Sequence, residues 1–258
     1  MSPDYIYFGL KASTWDLSRG DTSTWTDRRF YLDIVQRFGQ PVLDIGCGTG
    51  RILLDFLGQG IDIDGVDDSP EMLNLCRAKA AEARLRPQLY QQKMEALDVA
   101  RRYRTVLIPS SSFQLLTNPE TARTAMSRFY KHMCDGGALV TAFGFGWRDG
   151  DPLDTGWKPK FEKHRPEDGA IVRAWERTWY EPEHQLWHEE ERFQVELDGQ
   201  IIASEHLRCS PGGRWYTQDQ AVKLLKDGGF GEVQLFSGFS KSPAVADDRL
   251  VCAVALKG

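Results

Sequence analysis

The sequence lacks any uninterrupted apolar run of the roughly 18 residues that a membrane-spanning helix requires. Met1-Ser2-Pro3-Asp4 does not open a signal peptide. A membrane partner is therefore not expected. Cysteine is sparse: Cys47, Cys76, Cys134, Cys209 and Cys252 are odd in number and widely scattered, with no CxxC and no Cys/His pair at zinc spacing. That argues against a disulfide framework and against a metal site, and points to reduced thiols in a cytoplasmic protein. A basic surplus is also missing. There are 32 Lys and Arg against 37 Asp and Glu, a net charge of −5, so no nucleic-acid partner is expected. Internal repeats and low-complexity tracts are absent. What remains is an ordinary soluble composition, 41% hydrophobic and 27% charged over 258 residues, which suits one elaborated α/β domain.

The charge is unevenly spread. Residues 144–216 hold 10 Lys and Arg against 15 Asp and Glu, whereas the rest of the chain holds 22 of each. The same segment carries six of the eight tryptophans and four of the five histidines.

Patterning separates the two parts. Residues 1–22 are aromatic and polar without period. Phe30, Ile34, Val35 and Phe38 lie at helical spacing, so a helix is expected from Trp25 to Phe38. Strands are then expected at 42–45, 61–66, 89–90, 104–108 and 138–143. Helices fall between them, one of them opened by Ser69 as N-cap with Pro70 at the first helical position. Such alternation means a parallel sheet with helices on both faces. After Phe143 the pattern changes to three long antiparallel strands, 170–180, 185–197 and 200–208, with Asp198-Gly199 as a two-residue hairpin turn. At Thr217 the α/β pattern resumes, with a helix to Asp227 and strands at 231–237 and 250–256. The expected organisation is a domain formed by 1–143 and 217–258, in which 1–24 is a lid, and a β-rich insertion at 144–216.

Val42-Leu43-Asp44-Ile45-Gly46-Cys47-Gly48-Thr49-Gly50-Arg51 joins the first strand to its helix. Glycines there let the backbone turn tightly and approach a ligand beside free helix N–H groups. The dinucleotide fingerprint G-x-G-x-x-G/A fails, because its sixth position is Arg51 or Leu53, and no G-x-x-x-x-G-K-[ST] loop exists. A second acid, Asp67, ends strand two, placed to accept both ribose hydroxyls of a nucleoside.

The succession VLDIGCGTG, GVDDSPEML and CDGGALV resembles the class I S-adenosylmethionine-dependent methyltransferases over about residues 25–143 and 217–256. The antiparallel insertion is similar to that of small-molecule members that methylate amino sugars and amino acids. The resemblance implies a Rossmann-like, doubly wound seven-stranded sheet of order 3-2-1-4-5-7-6 with a reversed last strand. It implies S-adenosyl-L-methionine as methyl donor. Gly46, Gly48 and Gly50, with Cys47 in the same turn, would admit its methionine part. Asp44 would organise the loop and the ammonium. Asp67 would bind the ribose, with Asp68 and Met72 flanking the adenine. Leu97 matches the family's D-x-x-x-L leucine, which leaves Lys93 at the acidic position. Met94 would offer its N–H, and neighbouring Glu95 is a candidate to replace the missing acid. Pro109 and Ser110 would line the methyl end. Tyr7 belongs to the aromatic N-terminal cluster with Tyr5, Phe8 and Trp15, which would close over the cofactor.

Methyl transfer needs an acceptor held in line and water excluded. Pairing Leu197 with Gln200 and counting back sets Glu191 opposite His206, a candidate general-base pair on the face that carries Glu189 and Trp187. Trp175, Trp179, Trp187, Trp215 and Tyr216 are candidates for an aromatic wall, or for burying the insertion's sheet on the main domain. Arg173 and Arg177 are expected to pair with glutamates of the next strand. The reading favours a small-molecule amine, since an acidic lining would concentrate cations. An aromatic or natural-product hydroxyl, an RNA or protein substrate, and a non-catalytic cofactor binder remain alternatives.

Overall fold

A computed structural model describes residues 5–258. Residues 1–4 of the expected lid lie outside that range. The unperiodic N-terminal stretch forms two short helices, α1 (Gly9–Ser13) and α2 (Trp15–Arg19), followed by α3 (Thr26–Phe38). The alternating region gives β1 (Val42–Ile45), α4 (Leu53–Gly58), β2 (Ile63–Asp67), α5 (Pro70–Glu82), β3 (Gln88–Gln91), β4 (Tyr103–Ile108), α6 (Pro119–Lys131) and β5 (Met133–Gly144). Asp135-Gly136-Gly137, expected as a turn, lies inside β5.

Four strands follow where three were expected: β6 (Lys158–His164), β7 (Ile171–Glu181), β8 (Leu186–Leu197) and β9 (Gln200–Arg214). The chain ends with α7 (Gln218–Asp227), β10 (Glu232–Ser237) and β11 (Leu250–Leu256). α7 starts with a capping box between Thr217 and Gln220.

The main sheet has the order β10-β11-β5-β4-β1-β2-β3. β11 runs antiparallel to both neighbours, and the other pairs are parallel. This is the expected seven-stranded Rossmann-like arrangement. Strand alternation sends Leu43 and Ile45 into a core with α6 and α7, and Val42 into a core with α3, α4 and α5. Both faces are thereby covered, and the crevice at the strands' carboxyl ends is the place where such sheets bind ligands. Among the described residues no helix is long and apolar enough to cross a membrane.

β6 to β9 form a separate antiparallel sheet. Its inner face packs Val172, Ala174, Phe193, Val195 and Leu207 against Phe8, Leu10 and Leu17 of the N-terminal segment. The expectation that large aromatics bury this sheet on the main domain holds for Tyr216, buried against Phe113 and Phe143, and fails for Trp175 and Trp179. Trp175 and Trp179 alternate with Val172 and Ala174, which puts them on the opposite face. Arg173 pairs with Glu162 and Glu196, and Arg177 with Asp154 and Glu190.

The hairpin register begins as read, Leu197 opposite Gln200, and then slips. A bulge takes the pairing from Glu196–Ile201 to Val195–Ala203, so Ile202 is an extra residue. The partners from Val195 to Glu189 shift by one, and Glu191 stands opposite Leu207 while His206 stands opposite Arg192.

One side chain pins the second sheet to the first. Gln114, 1% exposed, accepts the Gly144 N–H at 2.6 Å and donates to the Gly144 and Arg214 carbonyls at 2.8 and 3.0 Å. It thus ties the end of β5, where the chain leaves the main sheet, to the end of β9, where it leaves the second. Gln114→Leu strands three backbone groups, and a loss of about 2–4 kcal/mol is expected. Calorimetry should show a melting midpoint lower by about 5–10 °C.

Candidate active site

Asp67 begins the site. It is buried at the end of β2, where Oδ2 accepts the Gly48 N–H at 2.8 Å and Oδ1 accepts the Ser69 N–H at 3.0 Å. The glycine turn after β1 and the start of α5 are therefore set by one carboxylate. Ser69 caps α5 by accepting from the Met72 N–H, and its hydroxyl donates to the Tyr7 carbonyl at 2.6 Å. The N-terminal segment is thereby drawn across the strand ends.

A cavity of about 420 Å³ lies beneath that segment. Gly46 and Gly48 line it at φ of +69° and +56°. A Cβ on Gly46 would meet Ser112 at 3.0 Å, and one on Gly48 would meet Met72 at 3.3 Å. Asp44, Cys47, Asp67, Asp68, Met72, Met94, Glu95, Tyr7, Pro109 and Ser110 line the cavity as well. Lys93, at the expected acidic position, also lines it.

Gly50 is the exception among the expected cofactor residues. A Cβ there would meet Cys76 Sγ and Leu54 Cγ at 2.7 Å, so this glycine serves the packing of α4 on α5. The expected base pair is not assembled. Glu191 is buried between Lys11 and Lys160. His206 lies exposed on the outer face near Trp157, and neither residue lines the cavity.

The cavity also holds Arg19, Arg51, Ser111 and Glu189, which the sequence did not announce, and Trp187, a candidate for an aromatic wall. Arg19 lies over Trp15 and Trp25, 4.4 and 4.9 Å from the ring centroids, and makes no ion pair among the described residues. Burial, and then the neighbouring Arg51 charge, lower its basicity. Arg51 is held by Asp27 through contacts of 3.0 and 2.5 Å. Ser110 and Ser111 occupy left-handed conformations at φ of 56° and 59°, strain that the surrounding loop has to hold. From the second sheet come Trp187 and Glu189, whose side chains bond to each other, Trp187 Nε1 donating to Glu189 Oε1 at 2.9 Å. Strand alternation places both on one face, but proximity to the cavity depends on tertiary packing. Arg19 sits in an unperiodic stretch and gave no signal.

The carboxylates are desolvated. Burial, reinforced by Asp67 against the opposing Arg51 charge, raises Asp44 to about 7, and its Oδ1 has no hydrogen-bond partner. Burial and then the Asp67 charge raise Asp68 to about 6, with Lys93 opposing. A glycine cradle with open walls, an orphaned buried carboxylate oxygen and an unpaired guanidinium suit a ligand bearing ribose, ammonium and carboxylate groups.

Residues 42–137 match the family model described as a methyltransferase domain. A Geobacillus sp. (strain WCH70) protein named as a methyltransferase is 24% identical over 212 residues, 81% of each chain. The chain spans about half the length of further curated relatives it matches. An S-adenosylmethionine-dependent methyltransferase from Clostridium acetobutylicum superposes with a TM-score of 0.76 at 19% identity, covering 95% of this chain and 97% of that one. The sugar N-methyltransferase KedS8 from Streptoalloteichus sp. superposes with a TM-score of 0.75 at 16% identity, covering 100% and 96%. The chain thus has the fold of the class I methyltransferases, and its residues 42–137 match a methyltransferase domain.

The raised Asp44 carboxyl gives a signed expectation. Its ionised form is disfavoured until a cation arrives, so an ammonium-bearing ligand binds the protein better as pH rises through about 7. The affinity for S-adenosylhomocysteine should rise about tenfold from pH 6 to 8, and Asp44→Asn should flatten most of that slope in calorimetric titrations.

Proposed function

We propose that this S-adenosylmethionine-dependent small-molecule methyltransferase places its methyl group on an amine. The observation that carries the reading is that Trp187 and Glu189 line the same cavity as Gly46 and the Pro109–Ser112 loop. An indole face and a carboxylate form the usual surroundings of a bound ammonium. The likeness to a sugar N-methyltransferase supports the same class of acceptor.

The roles follow from position. Asp67 keeps a free lone pair on each oxygen for ribose hydroxyls. Asp68, Met72 and Met94 flank the adenine, with Glu95 at the edge. The free Asp44 oxygen takes the methionine ammonium, and Arg19 takes its carboxylate. The cofactor, when bound, supplies a methyl group on a positively charged sulfur. Residues 144–216 form a substrate-side cap, and residues 1–24 a lid that excludes water from the reacting atoms.

An amine needs only to lose its proton before it attacks, whereas a hydroxyl usually needs a base. Among the described residues no histidine lines the cavity, and Tyr7, its basicity set chiefly by burial, titrates above the usual phenol range. Both features favour the amine. All five cysteines are unpaired, which supports a reducing, cytoplasmic setting.

The test is S-adenosylhomocysteine release with matched panels of primary amines and alcohols. Amines should turn over and alcohols should not. Glu189→Gln should raise the amine KM about tenfold or more while leaving S-adenosylhomocysteine affinity unchanged. Turnover confined to alcohols, or an amine KM indifferent to Glu189, contradicts the reading.

A further inference from the structure

Besides Glu205, which accepts the Leu10 N–H, the inner face of the second sheet carries three carboxylates whose compensation is unequal. Glu191 is doubly paired, with Lys11 Nζ 2.5 Å from Oε2 and Lys160 Nζ 2.6 Å from Oε1. Lys160 also reaches Glu176 at 3.2 Å, and Lys158 reaches it at 3.4 Å. Glu189 is different. Its Oε1 is taken by the Trp187 indole, and the cation nearest its Oε2 is Lys11 at 3.7 Å. Of the three, Glu189 alone lines the cavity, and its side chain is 37% exposed against 5% for Glu191.

Lys11 does not belong to the sheet. It comes from α1, and only 7% of its side chain is exposed. Burial works against its charge, but Glu191, then Tyr7 and Glu189, outweigh that and keep it protonated beyond the usual lysine range. A permanent cation therefore leans on the one acidic side chain that the insertion presents to the cavity, while its main partner lies behind.

We propose that Lys11 is the resident counter-ion of the acceptor site, holding Glu189 at rest and yielding that carboxylate to an incoming ammonium while it stays paired with Glu191. The inference rests on the amine reading and adds to it a positioning residue on the lid. Lys11 competes with the acceptor for Glu189, so its removal strengthens acceptor binding, the opposite of what loss of a structural contact does. It also ties occupancy of the acceptor site to α1, since a bound ammonium loosens one of the contacts between that helix and the second sheet.

The experiment is calorimetric titration of the full chain, saturated with S-adenosylhomocysteine, by benzylammonium and by neutral benzyl alcohol at fixed ionic strength. The wild type should bind benzylammonium more tightly than the alcohol. Lys11→Met should tighten benzylammonium about two- to fivefold and leave the alcohol unchanged. Glu191→Gln leaves Lys11 only Glu189 to pair with, and should weaken benzylammonium by a similar factor. S-adenosylhomocysteine titrations of both variants report on the integrity of the lid and the cofactor half. Unchanged or weaker benzylammonium binding in Lys11→Met, or stronger binding in Glu191→Gln, overturns the role of Lys11 and leaves the amine reading standing. A wild type that does not distinguish benzylammonium from the alcohol overturns the amine reading, and this inference with it.

Discussion

The N-terminal helix α1 is gripped by two carboxylates from opposite sides. The Gly9 N–H donates to Glu71 Oε2 at 2.7 Å and the Leu10 N–H to Glu205 Oε2 at 2.6 Å. Glu71 stands on α5 of the main domain and Glu205 on β9 of the second sheet. The helix is short, yet its unpaired N–H groups are satisfied by charge-assisted bonds, the stronger kind. Position 9 has to be glycine on two counts, a φ of +55° and a Cβ that would lie 2.4 Å from the Glu205 carboxylate. The placement of Tyr7, Trp15 and Arg19 around the cavity depends on this clamp, as does that of Lys11 beside Glu189. So does the seating of the second sheet, whose inner apolar face packs on Phe8, Leu10 and Leu17.

The same closure explains the electrostatics. Drawing the segment over the strand ends removes water from Asp44, Asp67 and Asp68, and burial raises all three carboxyls. Desolvated acids of this kind are costly in the empty protein, and their cost falls when a cationic, hydroxyl-rich ligand arrives. Labour is divided accordingly. The main sheet supplies groups to the cavity from the ends of β1, β2 and β4, and the second sheet contributes Trp187 and Glu189. Most of the insertion's acidic surplus has no direct part in this. Glu162, Glu196 and Asp154 pair with Arg173 and Arg177 on the sheet's surface.

The main domain was legible because its signals are local. A buried strand followed by D-x-G-x-G, and an acid at the end of the next strand, place Asp44, Gly46, Gly48 and Asp67 at the carboxyl edge whatever the rest of the chain does. Gly50 shows the limit of that logic, since it stands in the motif yet does not line the cavity and lies against Cys76 and Leu54. The insertion was harder. Lys158–His164 reads as a polar stretch because most of it is exposed, so β6 gave no pattern. One unannounced bulge residue, Ile202, turned a correct hairpin into a wrong pairing and sent His206 to the outer face. Arg19 and Lys11 lie in a segment without periodicity, and their positions come from α1 and α2 packing on two bodies at once. Such contacts leave no trace in spacing.

The most direct test of the account is a crystal structure of the full chain with S-adenosylhomocysteine bound. The account predicts ribose hydroxyls on Asp67, the amino group on Asp44, and the sulfur beside Pro109 and Ser110, with open space from the sulfur to Glu189 and Trp187. A ribose away from Asp67, or a sulfur walled off from Glu189, would contradict it.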